Sequence, residues 1–172
     1  MLVFGDTLFF ANFVFIMTWK QRFWAFWGTG FGAGYWPLGP GTVGAAVAVM
    51  LWIVCGCYVP DTTLRYITLA AIVAGTAIGT VAANKLQPVW GEDPKKVVID
   101  EMVGVWIPLL VCRWFSGYAF LAFVLFRFFD ILKPFGIRAL DRRSGGFWVM
   151  ADDILAGIYS LVVILVLKWL GI

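Results

Sequence analysis

Phe126-Arg127-Phe128-Phe129-Asp130-Ile131-Leu132-Lys133-Pro134 places three charged residues at the end of an apolar run covering residues 118–133. The i, i+3, i+6 spacing predicts a helix that carries Arg127, Asp130 and Lys133 on one stripe about 120° wide, at ~100° per residue. Pro134 stops that helix because it has no backbone N–H to donate. A charge inside a bilayer costs roughly 2.5–3.5 kcal/mol even on lenient insertion scales, so such residues are functional by default. An intrahelical ion pair accounts for two of the three charges and leaves the third unexplained. Two further acidic pairs, Asp100-Glu101 and Asp152-Asp153, stand at the edges of other apolar runs. Five carboxylates with an Arg and a Lys suggest a divalent cation and a phosphate.

Composition sets the class. The chain has 172 residues, 62% hydrophobic, 18% aromatic and 13% charged, with a mean hydropathy of +0.91. A soluble domain carries about 25% charged residues. The expectation is an all-α, polytopic integral membrane protein of about 5–6 membrane-embedded helices, some short or interfacial. It forms a single membrane-embedded domain over 1–172, with an N-terminal apolar or interfacial segment at 1–27. A net charge of +3 without a basic face argues against nucleic acid as a partner. The lipid bilayer is the expected surroundings, and the oligomeric state is left open. Cys55, Cys57 and Cys112 lie in apolar runs and read as reduced, packed thiols. Residues 2–17 lack the basic start and cleavage site of a signal peptide and read as retained, as a short span or an interfacial helix. Phe23-Trp24-Ala25-Phe26-Trp27 belongs at headgroup level, where Trp is enriched.

A span needs ~20 apolar residues. Residues 42–59 and 64–84 qualify, with a turn at Pro60-Asp61. A polar loop is expected over 85–96, two shorter helices over 100–115 and 118–133, a second polar loop over 134–151, and a last span over 153–170. Each of the two polar loops holds three Lys or Arg, so both are expected in the cytoplasm. Counting passes from there brings Asp100-Glu101, Arg127-Asp130-Lys133, Asp152-Asp153 and the Gly-rich segment before residue 42 to one cytoplasmic face.

The acidic pairs each begin an expected helix, so N-capping is the plain alternative. A cap explains one acid per pair. Gly104 and Gly157 follow one turn on and allow close approach of a neighbouring helix or a ligand. Residues 28–44 hold seven of the 19 glycines, with the core Pro37-Leu38-Gly39-Pro40-Gly41-Thr42-Val43-Gly44. Bare N–H groups at a helix N-terminus cradle phosphate, and Thr42 is placed to cap the helix or touch the phosphate. Gly-rich turns also serve tight helix packing, and no Walker motif occurs. Converging carboxylates suit Mg2+. With no His in the chain and the Cys elsewhere, zinc and softer metals are disfavoured, and a His nucleophile or base is excluded. A Cys-x5-Arg phosphatase loop is missing, since Asp61, Thr63 and Tyr118 stand where the Arg would be. An Asp-x-Asp motif is missing too. Metal-assisted chemistry on carboxylates remains.

Pro40-Gly41-Thr42-x-Gly44, Val98-Ile99-Asp100-Glu101-Met102-Val103-Gly104, Arg127-Phe128-Phe129-Asp130-Ile131-Leu132-Lys133-Pro134 and Asp152-Asp153-x-x-Ala156-Gly157 together resemble the phosphatidylglycerophosphatase A family. The likeness spans a core of roughly 28–160. It departs at Ala45, where the family tends to have Ser, at Trp148, where a Gly is expected, and in a loop from Asp141 to Asp152 one residue short. The resemblance implies a small multi-pass enzyme of the bacterial inner (cytoplasmic) membrane. It would remove the terminal phosphate of its phospholipid substrate, phosphatidylglycerophosphate, with Mg2+ as cofactor, to give phosphatidylglycerol. On that reading Asp100, Glu101, Asp130, Asp152 and Asp153 hold one or two metal ions, with Lys133 joining them in catalysis. Arg127 and Lys133, with Gly39, Gly41, Thr42 and Gly44, bind the substrate phosphate. Either water or an aspartate, Asp130 or Asp152, is the nucleophile. Two alternatives stand beside this: a membrane ion or anion transporter, which would show broken helices in paired halves, and a CDP-alcohol phosphotransferase-like enzyme, whose Asp-Gly core is absent.

Overall fold

The computed structural model describes residues 17–91, 94–114 and 116–171. Expectations for the chain before Met17 lie outside the described residues. Among the described residues the fold is all helical. The helices are α1 (Trp19–Gly28), α2 (Pro40–Gly56), α3 (Asp61–Trp90), α4 (Ile99–Leu109), α5 (Tyr118–Leu132), α6 (Ile137–Asp141) and α7 (Gly146–Trp169), with a 3-10 turn at Ala33–Tyr35.

Helix α4 is the centre of the bundle. At 1.5 Å per residue its 11 residues reach about 16 Å, half the ~30 Å hydrocarbon thickness. Beyond its acidic first turn it is apolar on every side, the pattern of a helix surrounded by others. Met102, Val105 and Leu109 pack with Ala45, Trp52, Phe126 and Ala156 from α2, α5 and α7. Ile99 and Val103 pack instead with Ala25, Ala82, Leu86 and Met150 from α1, α3 and α7. The indole N–H of Trp106 donates to the Ala48 carbonyl at 3.1 Å, tying α4 to α2. Trp52 donates to the Thr68 hydroxyl at 3.0 Å, tying α2 to α3.

Helices α4 and α7 come into close backbone contact. A Cβ on Gly157 would overlap the Gly104 carbonyl, and a Cβ on Gly104 would meet the Phe126 ring and the Asp153 carbonyl. The absence of side chains at these two positions brings the backbones together and sets Asp153 beside Asp100-Glu101. At the far end, Lys168 donates to the Val111 carbonyl, with its ammonium 4.8 Å from the Tyr118 ring centroid. This cation sits at the C-terminal end of α4, where the helix dipole favours it.

Several boundaries differ from expectation. Helix α3 runs to Trp90, through most of the stretch expected as a loop at 85–96, because Leu86 is fully buried in the α1–α4 seam. Burial there outweighs the polarity of Lys85 and Gln87. Helix α4 stops at Leu109, short of the expected 115. The largest correction concerns α7, which begins at Gly146, not at 153. The Gly146 N–H donates to Asn84 Oδ1 at 2.7 Å, and a Cβ on Gly146 would overlap the Thr80 carbonyl, so the start of α7 is seated against α3. Asp152 and Asp153 are therefore about two turns into the helix, and the capping explanation fails for them. All three cysteines are free, but only Cys112 is buried, and Cys57 is exposed rather than packed.

Two of the described helices, α3 and α7, are long and apolar enough to cross a membrane. Helices α2, α4 and α5 are shorter than a full span. Large apolar side chains also face outward, among them Val73, Phe120, Val162 and Trp169.

Gly157→Leu is expected to destabilise the protein by about 1–3 kcal/mol or more, the usual scale for overpacking. Thermal unfolding in detergent reads this directly. An unchanged midpoint would show that α4 and α7 do not meet at this glycine pair.

Candidate active site

Chain direction brings the polar clusters to one end of the bundle. The N-termini of α2, α4 and α7 and the C-terminus of α5 all open onto a cavity of ≈ 350 Å³. Its lining contains all five carboxylates singled out from the sequence, together with Arg127 and Lys133.

Asp100 and Glu101 occupy the first turn of α4, where the dipole favours negative charge. Neither caps the helix, since the N-cap residue is Val98 with no side-chain bond. Asp100 Oδ1 instead accepts from the Glu101 N–H at 3.1 Å. Asp153 reaches in from α7. Carboxylate oxygens of Asp100, Glu101 and Asp153 all lie within 4.8 Å of one another. Asp100 and Asp153 are buried, and Glu101 Oε2 is buried without a hydrogen-bond partner. The charges acting on Asp153 are those of Asp130, Glu101 and Asp152, all negative.

The other two acids have cationic partners. Arg127 donates to Asp130 one turn further along α5. Lys133 donates to Asp152 at 2.8 Å and also to Asp141. Lys133 is the C-cap of α5, in the left-handed region at φ 47, ψ 52, and this turn aims its side chain across at α7. Burial pushes the Lys133 ammonium down, but hydrogen bonds to Asp141 and Asp152 and their charge outweigh it, so its pKa is raised.

The glycine-rich turn divides. Gly39 (φ 64) is the N-cap of α2, Pro40 is its first residue, and both line the cavity with Gly41. A Cβ on Gly41 would overlap Glu101 Oε1 and come within 3.3 Å of Arg127 Nη1, so this position must be bare for those two side chains to meet over it. The N–H groups of Gly41 and Thr42 have no acceptor within the helix. The Thr42 side chain is exposed, and Gly44 packs against Val98; neither lines the cavity.

Sequence reasoning missed part of the lining. Lys95, Asp141, Arg142, Arg143, Ser144 and Trp148 also face the cavity. Lys95, Arg142 and Arg143 were read only as loop charges marking a side of the membrane. Their place in the lining follows from the short connections on either side of α4 and α7, which no local pattern encodes.

The donor set fits a hard divalent cation. Three carboxylates converge, one of their oxygens is orphaned, and buried like charges at this spacing are costly unless a positive charge joins them. Asp100, Glu101 and Asp153 are the residues that would hold it.

A family model described as phosphatidylglycerophosphatase A matches residues 26–168. A protein of Bacteroides thetaiotaomicron is 51% identical over 146 residues, covering 83% of this chain and 91% of its own, and bears the provisional name phosphatidylinositol-3-phosphatase. Phosphatidylglycerophosphatase A of Escherichia coli is 32% identical over 80% of this chain and 78% of its own. Its Haemophilus influenzae namesake is 35% identical over 81% and 85%. No solved structure matches.

Asp153→Asn removes one acid from a trio that forms no salt bridge among the described residues. In the presence of chelator it is expected to raise the thermal midpoint by roughly 2–4 °C for each kcal/mol of repulsion relieved. A lowered midpoint would mean that Asp153 is held by attractive contacts.

Proposed function

The chain belongs to the phosphatidylglycerophosphatase A family of lipid phosphatases, and from that premise we propose that it hydrolyses the terminal phosphomonoester of phosphatidylglycerophosphate with Mg2+ at the acidic floor of the cavity. The observation that carries this reading is the trio of Asp100, Glu101 and Asp153, three converging carboxylates none of which forms a salt bridge among the described residues. Membership in an enzyme family sets aside the transporter and CDP-alcohol phosphotransferase alternatives.

When bound, the divalent cation supplies Lewis-acid polarisation of the phosphoryl group and offsets the charge of the floor. The side chains of the chain supply the rest. Arg127 closes over Gly41 with its Nε buried and unpartnered, placed to donate to an equatorial phosphoryl oxygen. The N–H groups of Gly41 and Thr42 add donors at the positive end of α2. Asp130 and Asp152, oriented by Arg127 and Lys133, are placed to take the proton of an attacking water. Water oxygen then bonds to phosphorus and the ester P–O bond breaks. The proton passes to the departing lipid alcohol, and inorganic phosphate is released.

The same reading sets α2, α4 and α5 within the bilayer beside α3 and α7, as a multi-pass protein of the bacterial inner membrane. The cavity opens to the cytoplasm, the side on which Lys85, Lys95, Lys96, Arg138, Arg142 and Arg143 collect. The Bacteroides relative favours a second substrate, a phosphoinositide 3-phosphate. The chemistry at the floor is unchanged, and only the headgroup differs.

Purified protein is expected to release phosphate from phosphatidylglycerophosphate in Mg2+ and to stop in chelator. Phosphatidylinositol 3-phosphate assayed alongside ranks the two substrates. Asp153→Asn and Glu101→Gln should each lower kcat about 10²–10³-fold, the scale of one lost electrostatic contact to the transition state. Turnover of both lipids unaffected by chelator, or near-normal rates in both variants, would overturn the proposal.

A further inference from the structure

The two ends of the cavity differ in charge. Its floor is acidic. Its rim carries Lys95, from the turn before α4, and Arg142 and Arg143, from the loop between α6 and α7. All three are exposed. Among the described residues none of them pairs with a carboxylate, whereas Arg127 and Lys133 are committed to Asp130, Asp141 and Asp152. Two separate loops therefore deliver cations to one mouth.

Arg143 is held in place despite its exposure. Its guanidinium carbon lies 4.2 Å from the ring centroid of Trp148. Trp148, in the first turn of α7, is half-buried, packs edge-on against Phe147 and also lines the cavity. An arginine lying on an aromatic face keeps its edge N–H donors available. That planar fork matches two oxygens of a phosphate group.

We propose that Arg143, positioned by Trp148 and assisted by Arg142 and Lys95, binds a second, non-reacting phosphate of the substrate. That group is the phosphodiester of a lipid whose phosphomonoester lies over the acidic floor. The inference rests on the phosphatase reading of the floor. It makes the cavity a gauge for lipids with a polyol between a diester and a monoester, and it disfavours lipids with a monoester alone. Arg143 is then a specificity-determining residue and Trp148 a positioning residue, and neither takes part in breaking the P–O bond.

The test measures binding to the full-length, detergent-solubilised protein by calorimetry, with two soluble headgroup analogues. Glycerophosphoglycerol phosphate carries both groups, and glycerol 3-phosphate carries the monoester alone. The wild-type protein is expected to bind the first about tenfold more tightly or better, the scale of one charge-assisted bidentate contact. Arg143→Ala and the double variant Arg142→Ala/Arg143→Ala should bring that ratio towards one by weakening the first ligand alone. Trp148→Ala should follow Arg143→Ala, and Trp148→Phe, which keeps an aromatic face, should restore most of the preference. With the lipid as substrate the same variants should raise KM and leave kcat unchanged. A wild-type ratio near one, a ratio untouched by the substitutions, or equal weakening of both ligands, as general charge attraction at the rim would give, overturns the inference. Failure of the wild-type protein to release phosphate from any lipid counts against the catalytic reading, and the binding ratio is decided independently of it.

Discussion

Negative charge gathered at the buried start of α4 is the constraint around which the protein is built. Asp100 and Asp153 are nearly inaccessible, Glu101 leaves an oxygen orphaned, and the cations nearby are already engaged with Asp130 and Asp152. A fold devoted only to stability would not collect such groups, since apolar replacements of similar volume usually do as well or better. On the proposed reading a divalent cation completes the arrangement, and carboxylate oxygens suit such a hard ion better than thiol or imidazole ligands would.

Holding those carboxylates together requires the backbones to come unusually close. Gly104 and Gly157 remove the side chains that would keep α4 and α7 apart, and Gly41 leaves room for Glu101 and Arg127. Structural and chemical roles therefore coincide at these glycines. A methyl group at any of the three would push on the neighbouring helix and displace a carboxylate at the same time.

Much of this was legible in the sequence. Charges embedded in apolar runs marked the site, and counting passes of the chain brought Asp100, Asp130 and Asp152 to one end although they lie far apart along it. Reading failed where tertiary packing overrides local pattern. The burial of Leu86 carries α3 through a polar stretch, and the hydrogen bond from Gly146 to Asn84 starts α7 early. That early start removes the capping role that Asp152-Asp153 seemed to have. The pairing of Lys133 with Asp152 was also hidden, because it depends on the left-handed turn at Lys133. Lys95, Arg142 and Arg143 looked like ordinary markers of membrane orientation, and only their convergence on one mouth gives them a second meaning.

At the other end of α4, Lys168 bonds the Val111 carbonyl and lies against the Tyr118 ring. None of these three residues lines the cavity. The short central helix is thus fastened at one tip by a cation of its own chain, while its opposite tip is left for chemistry.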